Sequence, residues 1–155
     1  MLVVNHASDV RTEPNTVGTH DYASYPALQR HSLKDVMCHE MYKAASVIIV
    51  DESQFFPDLD LVMAMVEVHN KIVIVGALSG DYQRQPFKNV TELLPHADRI
   101  EHLTAICSIC RDGHTPGIFT RRTVQSNERI VVGGEDKYIA VCRRHYLGKL
   151  ACDQK

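Results

Sequence analysis

The stretch that decides the fold of this chain is Val47-Ile48-Ile49-Val50-Asp51-Glu52-Ser53-Gln54-Phe55-Phe56. Its first four residues are apolar and β-branched, which predicts a strand buried on both faces, as in parallel sheets. The strand ends in two adjacent carboxylates, Asp51 and Glu52. Ligands of open α/β sheets bind beyond the carboxyl ends of the strands, so the sequence predicts chemistry at this position.

Two interpretations of the first carboxylate are open at this point. An apolar run that ends in Asp is the Walker B pattern, in which the Asp holds Mg²⁺ in P-loop nucleotide enzymes. Alternatively, Asp51 only caps the turn that follows the strand. The run by itself does not separate a metal ligand from a capping residue.

The composition is that of a soluble globular protein. A chain of 155 residues suits one domain with a small appendage. Its formal net charge of −2 gives no basic surface for nucleic acid. No apolar run approaches the length of a membrane span, and no basic segment followed by an apolar core opens the chain. We therefore expect a cytoplasmic protein without nucleic-acid or membrane partners.

A second apolar strand is predicted at residues 71–78 (KIVIVGAL), again followed by polar residues. Between the two strands, Pro57 and Asp58 open a helix with apolar residues along one side. We expect Asp58 and Asp60 to stabilise the first turn of that helix through its dipole. Two such strands joined by a helix form a βαβ unit, which implies a parallel sheet with helices on its faces.

The rest of the first hundred residues gives shorter or less regular patterns. They predict a strand at residues 1–4, a long polar loop at residues 5–26, a helix at residues 28–42, a short helix at residues 87–97 and a short strand at residues 100–104.

Two pairs of metal-type ligands follow, Cys107-x-x-Cys110 and Cys142-x-x-His145. Two residues between the members of a pair let a tight turn direct both side chains at one ion, so the pairs predict a closed, structural Cys₃His zinc site. The alternative is that these are ordinary buried thiols. Cys38 and Cys152 have no partner at ligand spacing, and we treat them as ordinary residues.

The change in composition near Cys107 suggests a division of the chain. We predict an α/β nucleotide-binding core at residues 1–103, a zinc-binding module at residues 104–147 and a flexible tail at residues 148–155. The 31 residues between the ligand pairs (111–141) exceed the usual finger spacing, so we expect them to form a tethered loop.

With these motifs in place, the chain resembles the type II thymidine kinases along roughly residues 2–147. The resemblance is carried by Leu2-Val-Val-(x)₄-Asp9-Val10-Arg11, Thr19-His20-Asp21, Val50-Asp51-Glu52-Ser53-Gln54-Phe55-Phe56-Pro57-Asp58, Tyr82-Gln83-Arg84-Gln85-Pro86-Phe87, Leu103-Thr104-Ala105-Ile106-Cys107 and Gly133-Gly134-(x)₃-Tyr138-(x)₃-Cys142. It implies an α/β fold: a P-loop (RecA-like) parallel-sheet kinase core with a small zinc-binding lasso module.

The resemblance implies transfer of the ATP γ-phosphoryl group to the 5′-hydroxyl of thymidine, a step of DNA precursor salvage. Such a transfer needs Mg²⁺ and a positioned hydroxyl. By family role Glu52 is the catalytic base, and the alternative is a solvated surface carboxylate. The residues that the resemblance places near ATP and Mg²⁺ are Asp9, Val10, Arg11, Asp51, Glu52, Ser53 and Gln54.

The resemblance also implies a set of residues around the thymine ring. In the family, aromatic and aliphatic side chains enclose the base, and a loop before a Gly-Gly turn reads it with backbone groups. The matching positions are Phe55, Leu78, Tyr82, Phe87, Arg129, Ile130, Val131, Val132, Gly133 and Tyr138. Without the resemblance, residues 130–132 would be interpreted as an ordinary short strand.

Two departures from the family pattern bear on these expectations. His145 stands where animal relatives have a last zinc cysteine, and histidine also suits zinc. The family's Walker A segment lies upstream of the position that matches Leu2, and the eight glycines here include no G-x-x-x-x-G-K-[ST]. We therefore expect an N-terminally truncated core, and negligible kinase activity from the 155-residue polypeptide alone.

A rival interpretation is a non-enzymatic zinc-binding remnant or a regulatory nucleoside-binding protein, which predicts zinc without turnover. An in-frame Walker A stretch upstream of Met1 in the genomic DNA would favour the enzyme. A P-loop protein of another specificity is disfavoured by the D-E-x-Q-F-F and Q-R-x-P-F motifs. For the full-length form, the resemblance implies a homo-oligomer, a tetramer.

Overall fold

The computed structural model describes residues 1–9, 13–18, 23–124 and 137–148, which form an α/β fold. Its strands are β1 (Leu2–His6), β2 (Thr16–Gly18), β3 (Ser24–Pro26), β4 (Leu28–Arg30), β5 (Val47–Val50), β6 (Ile72–Val75), β7 (Ala105–Ile106), β8 (Pro116–Gly117), β9 (Phe119–Arg122) and β10 (Tyr138–Val141). Its α-helices are α1 (Leu33–Met37), α2 (Glu40–Ala44), α3 (Leu61–Glu67), α4 (Lys88–Leu93) and α5 (Arg143–Tyr146). Among the described residues, no helix is long and apolar enough to cross a bilayer.

The chain divides into two compact units. The first consists of Met1–Ser79 and Pro86–Asp98, and the second of the described residues of Gly80–Gln85 and Arg99–Lys155. The predicted division into a nucleotide-binding core, a zinc-binding module and a tail, with boundaries after residues 103 and 147, stays a prediction, because compact units do not reveal what each part binds.

The first unit is built on a four-stranded sheet of order β4-β1-β5-β6. Every neighbouring pair in this sheet is parallel. Val4 of β1 lies opposite Val50 of β5, which in turn lies opposite Val75 of β6. The predicted βαβ unit and its parallel sheet are therefore confirmed, and the strands β1, β5 and β6 all end at one edge.

Burial within the sheet is less even than the sequence predicts. Ile48 and Val50 are fully buried, whereas Val47 and Ile49 on the opposite face are only partly buried. Buried residues of α1, α2, α3 and α4 belong to the same core cluster as Ile48 and Val50. The predicted burial on both faces is therefore complete on only one face of β5, because the four helices all contribute to that one core.

Two sequence-based assignments near the N-terminus are wrong. The predicted loop at residues 5–26 contains an antiparallel hairpin, in which Thr16 of β2 pairs with Pro26 of β3. The predicted helix at residues 28–42 begins instead with β4, because pairing of Leu28 with Val4 of β1 overrides local helix propensity. The remainder is two short helices, α1 and α2, separated at Cys38 and His39.

The carboxylate of Asp58 caps a different helix from the one predicted. Its two oxygens accept hydrogen bonds from the backbone N–H groups of Leu33 at 2.9 Å and Lys34 at 3.0 Å. These groups open α1, which lies 25 residues earlier in the chain. Asp60 occupies the cap position of α3 without a side-chain hydrogen bond to it. Asp58 therefore links α1 to the segment that follows Asp51 and Glu52 by hydrogen bonds.

The second unit consists of short antiparallel pairs and one helical turn. Strands β9 and β10 pair, as do β7 and β8. Gly117 of β8 lies so close to β7 that an added Cβ would meet the backbone of Ile106 and Cys107 at 3.1 Å. The short strand predicted at residues 100–104 is found later, at β7. This arrangement places Cys107 directly after β7 and Cys142 directly after β10.

Candidate functional site

The turn after β5 is held by backbone groups of its neighbours. The N–H of Asp51 donates to the carbonyl of Val4 at 2.8 Å, and the N–H of Ser53 donates to Gly76 at 3.0 Å. The Ser53 hydroxyl donates back to the carbonyl of Val50 at 2.8 Å. The ends of β1, β5 and β6 are thereby joined at the point where the two carboxylates begin.

Glu52 has a backbone conformation that side-chain-bearing residues seldom adopt. Its φ of 49° and ψ of 38° lie in the left-handed region. Such a residue costs about 1 kcal/mol or more and persists where its surroundings hold it. The conformation separates the directions of two consecutive side chains, so Asp51 and Glu52 can serve different ligands.

Gln54 links Glu52 to the end of the next strand. Its Nε2 donates to Oε2 of Glu52 at 2.6 Å, and its Oε1 accepts from the N–H of Leu78 at 3.1 Å. Gln54 is 6% exposed, so the amide is fixed inside the protein rather than in solvent. One buried side chain thus sets the orientation of the Glu52 carboxylate.

Gly76 leaves room for the other carboxylate. A Cβ at this position would lie 3.1 Å from Oδ1 of Asp51, closer than most real Cβ contacts. The Gly76 N–H donates to the carbonyl of Val50 at 2.8 Å, which keeps the two strand ends together. The carboxylate of Asp51 is therefore held against glycine at the sheet edge, half-buried.

A buried polar pair lies at the end of β1. The Asn5 amide donates to Oδ2 of Asp9 at 3.1 Å, and both residues are at most 5% exposed. The amide oxygen of Asn5 receives no hydrogen bond from the described residues. A buried acceptor without a donor is costly, so this strand end suits a further donor. Val10 and Arg11, assigned to ATP with Asp9, lie outside the described residues.

The residues predicted to enclose thymine fall into both units. In the first unit, the rings of Phe55 and Phe87 meet edge to face with centroids 6.5 Å apart, and Leu78 is 51% exposed. In the second unit, Tyr82 and Tyr138 share one partner, the Arg122 guanidinium. The loop residues Arg129 to Gly133 lie outside the described residues.

The Arg122 contacts organise the aromatic group of the second unit. The guanidinium carbon lies 3.8 Å from the Tyr82 ring centroid and 5.3 Å from that of Tyr138. Arg122 also donates to the Tyr138 hydroxyl at 2.9 Å, and the Tyr146 hydroxyl donates to the Tyr82 carbonyl at 2.8 Å. Cation–π contact and hydrogen bonding together bring two predicted site residues to one cation.

The four predicted metal ligands converge in the second unit. The ligand atoms of Cys107, Cys110, Cys142 and His145 all lie within 4.8 Å of one another. Nδ1 of His145 lies 3.4 Å from Sγ of Cys107, 3.5 Å from that of Cys110 and 3.4 Å from that of Cys142. The Sγ atoms of Cys110 and Cys142 are 3.9 Å apart.

These separations are those of a zinc tetrahedron. Zn–S bonds of ~2.3 Å and Zn–N bonds of ~2.0 Å give edges of ~3.8 Å between sulfurs and ~3.5 Å between sulfur and nitrogen. The Cys142 N–H also donates to Sγ of Cys107 at 3.2 Å, which favours a thiolate there. The donor set therefore fits zinc in type and spacing, as the sequence predicted.

The thiol environments differ within the cluster. Burial raises the pKa of Cys107, but hydrogen bonds from the backbone of Cys142 and Cys110 and from His145 outweigh it and lower the pKa to about 6. Burial, together with the neighbouring Cys107 and Cys142, raises the pKa of Cys110 to about 11. Metal binding requires thiolates, so binding of an ion would favour the deprotonated form of these thiols.

Several residues of these sites were missed by reasoning from sequence. Asn5 directly follows the apolar run Leu2–Val4 of β1, a signal that could have found it. Asn89 follows Pro86 and Phe87 at the start of α4, where nothing local marks its contact with the turn after β5. Gly76 and Arg122 likewise acquire their roles only from neighbours distant in sequence.

Comparison with known proteins identifies the family. The family model described as thymidine kinase matches residues 1–146. The chain is 39% identical over 146 residues to the thymidine kinase of Yaba monkey tumor virus (strain VR587), covering 94% of this chain and 77% of that protein. It is also 39% identical to the thymidine kinase of Rabbit fibroma virus (strain Kasza), covering 94% of this chain and 79% of that one.

A cellular relative is similar to about the same degree. The chain is 37% identical over 149 residues to thymidine kinase 1 of Dictyostelium discoideum, covering 94% of this chain and 63% of that protein. Both the viral and the cellular similarities span nearly the whole chain, including the carboxylate turn and the cysteine–histidine cluster. The chain belongs to the thymidine kinase family.

Proposed function

We propose that this protein is a phosphotransferase that moves the γ-phosphoryl group of ATP to the 5′-hydroxyl of thymidine, on a P-loop (RecA-like) core. The observation that carries the proposal is the turn after β5, where Glu52 is oriented by a buried glutamine at the carboxyl end of a parallel strand. Membership of the thymidine kinase family supports the same substrates.

Glu52 is proposed as the base that accepts the proton of the 5′-hydroxyl. A general base must hold its carboxylate at a fixed place within hydrogen-bonding reach of the hydroxyl. The left-handed backbone and the Gln54 hydrogen bond provide that fixed place. As the hydroxyl oxygen attacks the γ-phosphorus, the bond from that phosphorus to the bridging oxygen breaks and ADP leaves, while the hydroxyl proton passes to the Glu52 carboxylate and afterwards to solvent.

Asp51 is proposed as the residue that holds Mg²⁺ for ATP. Mg²⁺ takes oxygen ligands and usually keeps several waters, so one carboxylate fixed at a strand end suits it. When bound, the ion would neutralise charge on the phosphate oxygens. Asp9, Val10, Arg11, Ser53 and Gln54 complete the proposed ATP side, and the buried Asn5–Asp9 pair supports the placement of Asp9.

Thymine recognition is proposed for Phe55, Leu78, Tyr82, Phe87, Tyr138 and the segment Arg129–Gly133. The edge-to-face pair Phe55–Phe87 and the aromatic group around Arg122 support it, because aromatic surfaces favour a flat base. A structural zinc ion held by the four-ligand cluster is proposed to keep the short elements of the second unit together. A cytoplasmic location and assembly into a tetramer are proposed from the family resemblance alone.

The test is formation of thymidine 5′-monophosphate from thymidine and MgATP by the product of the complete gene. We expect Glu52→Gln to lower kcat by about 10²-fold to 10⁴-fold, the usual contribution of a general base. Glu67→Gln, the same change at an exposed position of α3, is the matched control and should leave kcat unchanged. A kcat of the Glu52→Gln variant within about twofold of the wild-type kcat would overturn the proposal.

A further inference from the structure

We propose that Asn89 is a positioning residue for phosphoryl transfer, because its side-chain amide holds the turn from which Gln54 orients Glu52. This inference rests on the proposed function, since it takes Glu52 to be the base. Asn89 lies in the first turn of α4 and is partly buried. Neither the motif D-E-x-Q-F-F-P-D nor the motif Q-R-x-P-F contains Asn89.

The contacts of Asn89 are specific. Its Nδ2 donates to the carbonyl of Gln54 at 3.1 Å and to the carbonyl of Phe56 at 2.9 Å. An amide NH₂ carries two hydrogens, so one side chain serves both acceptors. Its Oδ1 accepts from the N–H of Val90 at 3.0 Å, which ties the amide to its own helix.

The turn needs an outside donor because of Pro57. Within the turn, the N–H of Phe55 donates to the Glu52 carbonyl at 3.1 Å, and the N–H of Phe56 donates to the Ser53 carbonyl at 3.1 Å. Continuing this i to i+3 pattern, residue 57 would donate to the Gln54 carbonyl. Proline has no N–H. Asn89 supplies the hydrogen bond at the point where the backbone series stops.

Asn89 affects Glu52 through a single residue, Gln54. Gln54 is held on its backbone by Asn89 and on its side chain by the N–H of Leu78, and it donates to Glu52 at 2.6 Å. Without the Asn89 amide, the carbonyls of Gln54 and Phe56 both lose the hydrogen bond that its Nδ2 donates. Gln54 and the Glu52 carboxylate are then free to drift from the geometry that proton transfer needs.

The apolar contacts of this region do not depend on Asn89. Phe56, Phe87 and Val90 all belong to the core cluster of the first unit. Loss of the amide therefore leaves α4 packed against the sheet, and the effect falls on the orientation of the turn. This separation makes a positioning role distinguishable from a role in stability.

The experiment compares Asn89→Ala with Asn89→Ser and with the control Glu92→Ala in the product of the complete gene. Glu92 is an exposed residue on the same helix. We expect Asn89→Ala to lower kcat between about tenfold and a hundredfold, with a change in KM for thymidine of less than about threefold. Asn89→Ser retains one donor and should recover part of kcat, while Glu92→Ala should match the wild type.

A double-mutant cycle with Glu52→Gln completes the test. If Asn89 acts through Glu52, Asn89→Ala should cause little further loss of kcat in the Glu52→Gln protein. A full additional loss in that background, or an unchanged kcat with only a lowered melting temperature, would overturn the inference. Failure of the proposed function would instead appear as a Glu52→Gln single variant with wild-type kcat.

Discussion

The turn after β5 and the cysteine–histidine cluster are both candidate sites, but different forces hold them. The turn packs on a core of buried apolar side chains. It donates hydrogen bonds to β1 and to the segment after β6, and it accepts a hydrogen bond from α4. The cluster lies among strands of two to four residues and one short helix. Among the described residues of the second unit, only Cys107 and Val141 are buried apolar side chains.

This difference indicates where each unit obtains its stability. Burial of apolar surface is the main favourable term in folding, and the first unit has a contiguous core to supply it. A unit with so few buried side chains needs a cross-link or a metal. In the first unit the apolar core therefore holds the site in place, whereas in the second unit we expect a bound metal ion to stabilise the fold.

Metal removal is the largest expected effect. Structural zinc contributes ~10 kcal/mol or more in small modules, so stripping it should unfold the second unit and spare the first. Hydrogen exchange measured by mass spectrometry, with and without a strong chelator, should show loss of protection in peptides covering β7 to β10 and unchanged protection in peptides covering β1 and β5. Metal analysis should give about one zinc per chain.

Cysteine variants provide the matched comparison for metal removal. Cys110→Ser removes a ligand and should reproduce the effect of the chelator. Cys38→Ser changes an exposed cysteine of the first unit and should retain both zinc and protection. Unchanged protection of β9 and β10 after treatment with the chelator would contradict the view that a metal ion stabilises the second unit.

Asp58→Ala probes the hydrogen bonds that stabilise the first unit. The carboxylate caps two N–H groups of α1, and loss of such a cap costs ~1–2 kcal/mol. The free energy of unfolding of the first unit, followed by urea denaturation, should fall by that amount. Zinc content should stay the same, because the second unit does not use this carboxylate.

Asp60→Ala is the control for that substitution. Asp60 is exposed and makes no side-chain cap hydrogen bond to α3, so its removal should cost less than ~0.5 kcal/mol. Equal losses for Asp58→Ala and Asp60→Ala would mean that net charge, and not the cap, is responsible.

The smallest expected effect is a pH dependence confined to the first unit. Burial lowers the pKa of His6, and the charge of the neighbouring His31 lowers it further, while a hydrogen bond with the His31 backbone and the charge of Asp58 oppose both. The folded state then binds this proton less readily than the unfolded state does. The resulting stability is present above the ordinary histidine pKa of about 6.5 and is lost as the pH falls below it.

His6→Gln should make that pH dependence shallower, because glutamine does not titrate. Hydrogen exchange of peptides from β1 and β5 between about pH 5 and 7.5 would measure it separately from acid release of metal. His96→Gln, at an exposed position, is the control and should retain the wild-type slope. Identical slopes for both variants would exclude His6 as the source.

Sequence reasoning was most successful where the signal was local. The apolar run at Val47–Val50 predicted β5, and the run at residues 71–78 predicted β6 and the parallel pairing. The two-residue spacings predicted the four ligands that converge in the structure. Each of these depends on the periodicity or spacing of neighbouring residues, which a sequence displays directly.

Reasoning failed where distant partners decide the outcome. Leu28–Arg30 has no strand signal of its own and becomes β4 because β1 offers a free edge. Asp58 looks like a cap for the helix that follows it, yet its carboxylate binds α1. Nothing local to Asn89 reveals that Pro57 leaves a carbonyl for its amide to bind.

The sequence by itself determined the family, the parallel arrangement of β5 and β6, the carboxylates at the end of β5 and the four residues of the candidate metal site. Only the tertiary structure decided how Glu52 is oriented, what the acidic residue after Pro57 caps and which side chain supports the turn. The physical reason is that strand and ligand patterns are encoded in neighbouring residues, whereas hydrogen bonds between segments 24 to 35 residues apart exist only after folding brings them together.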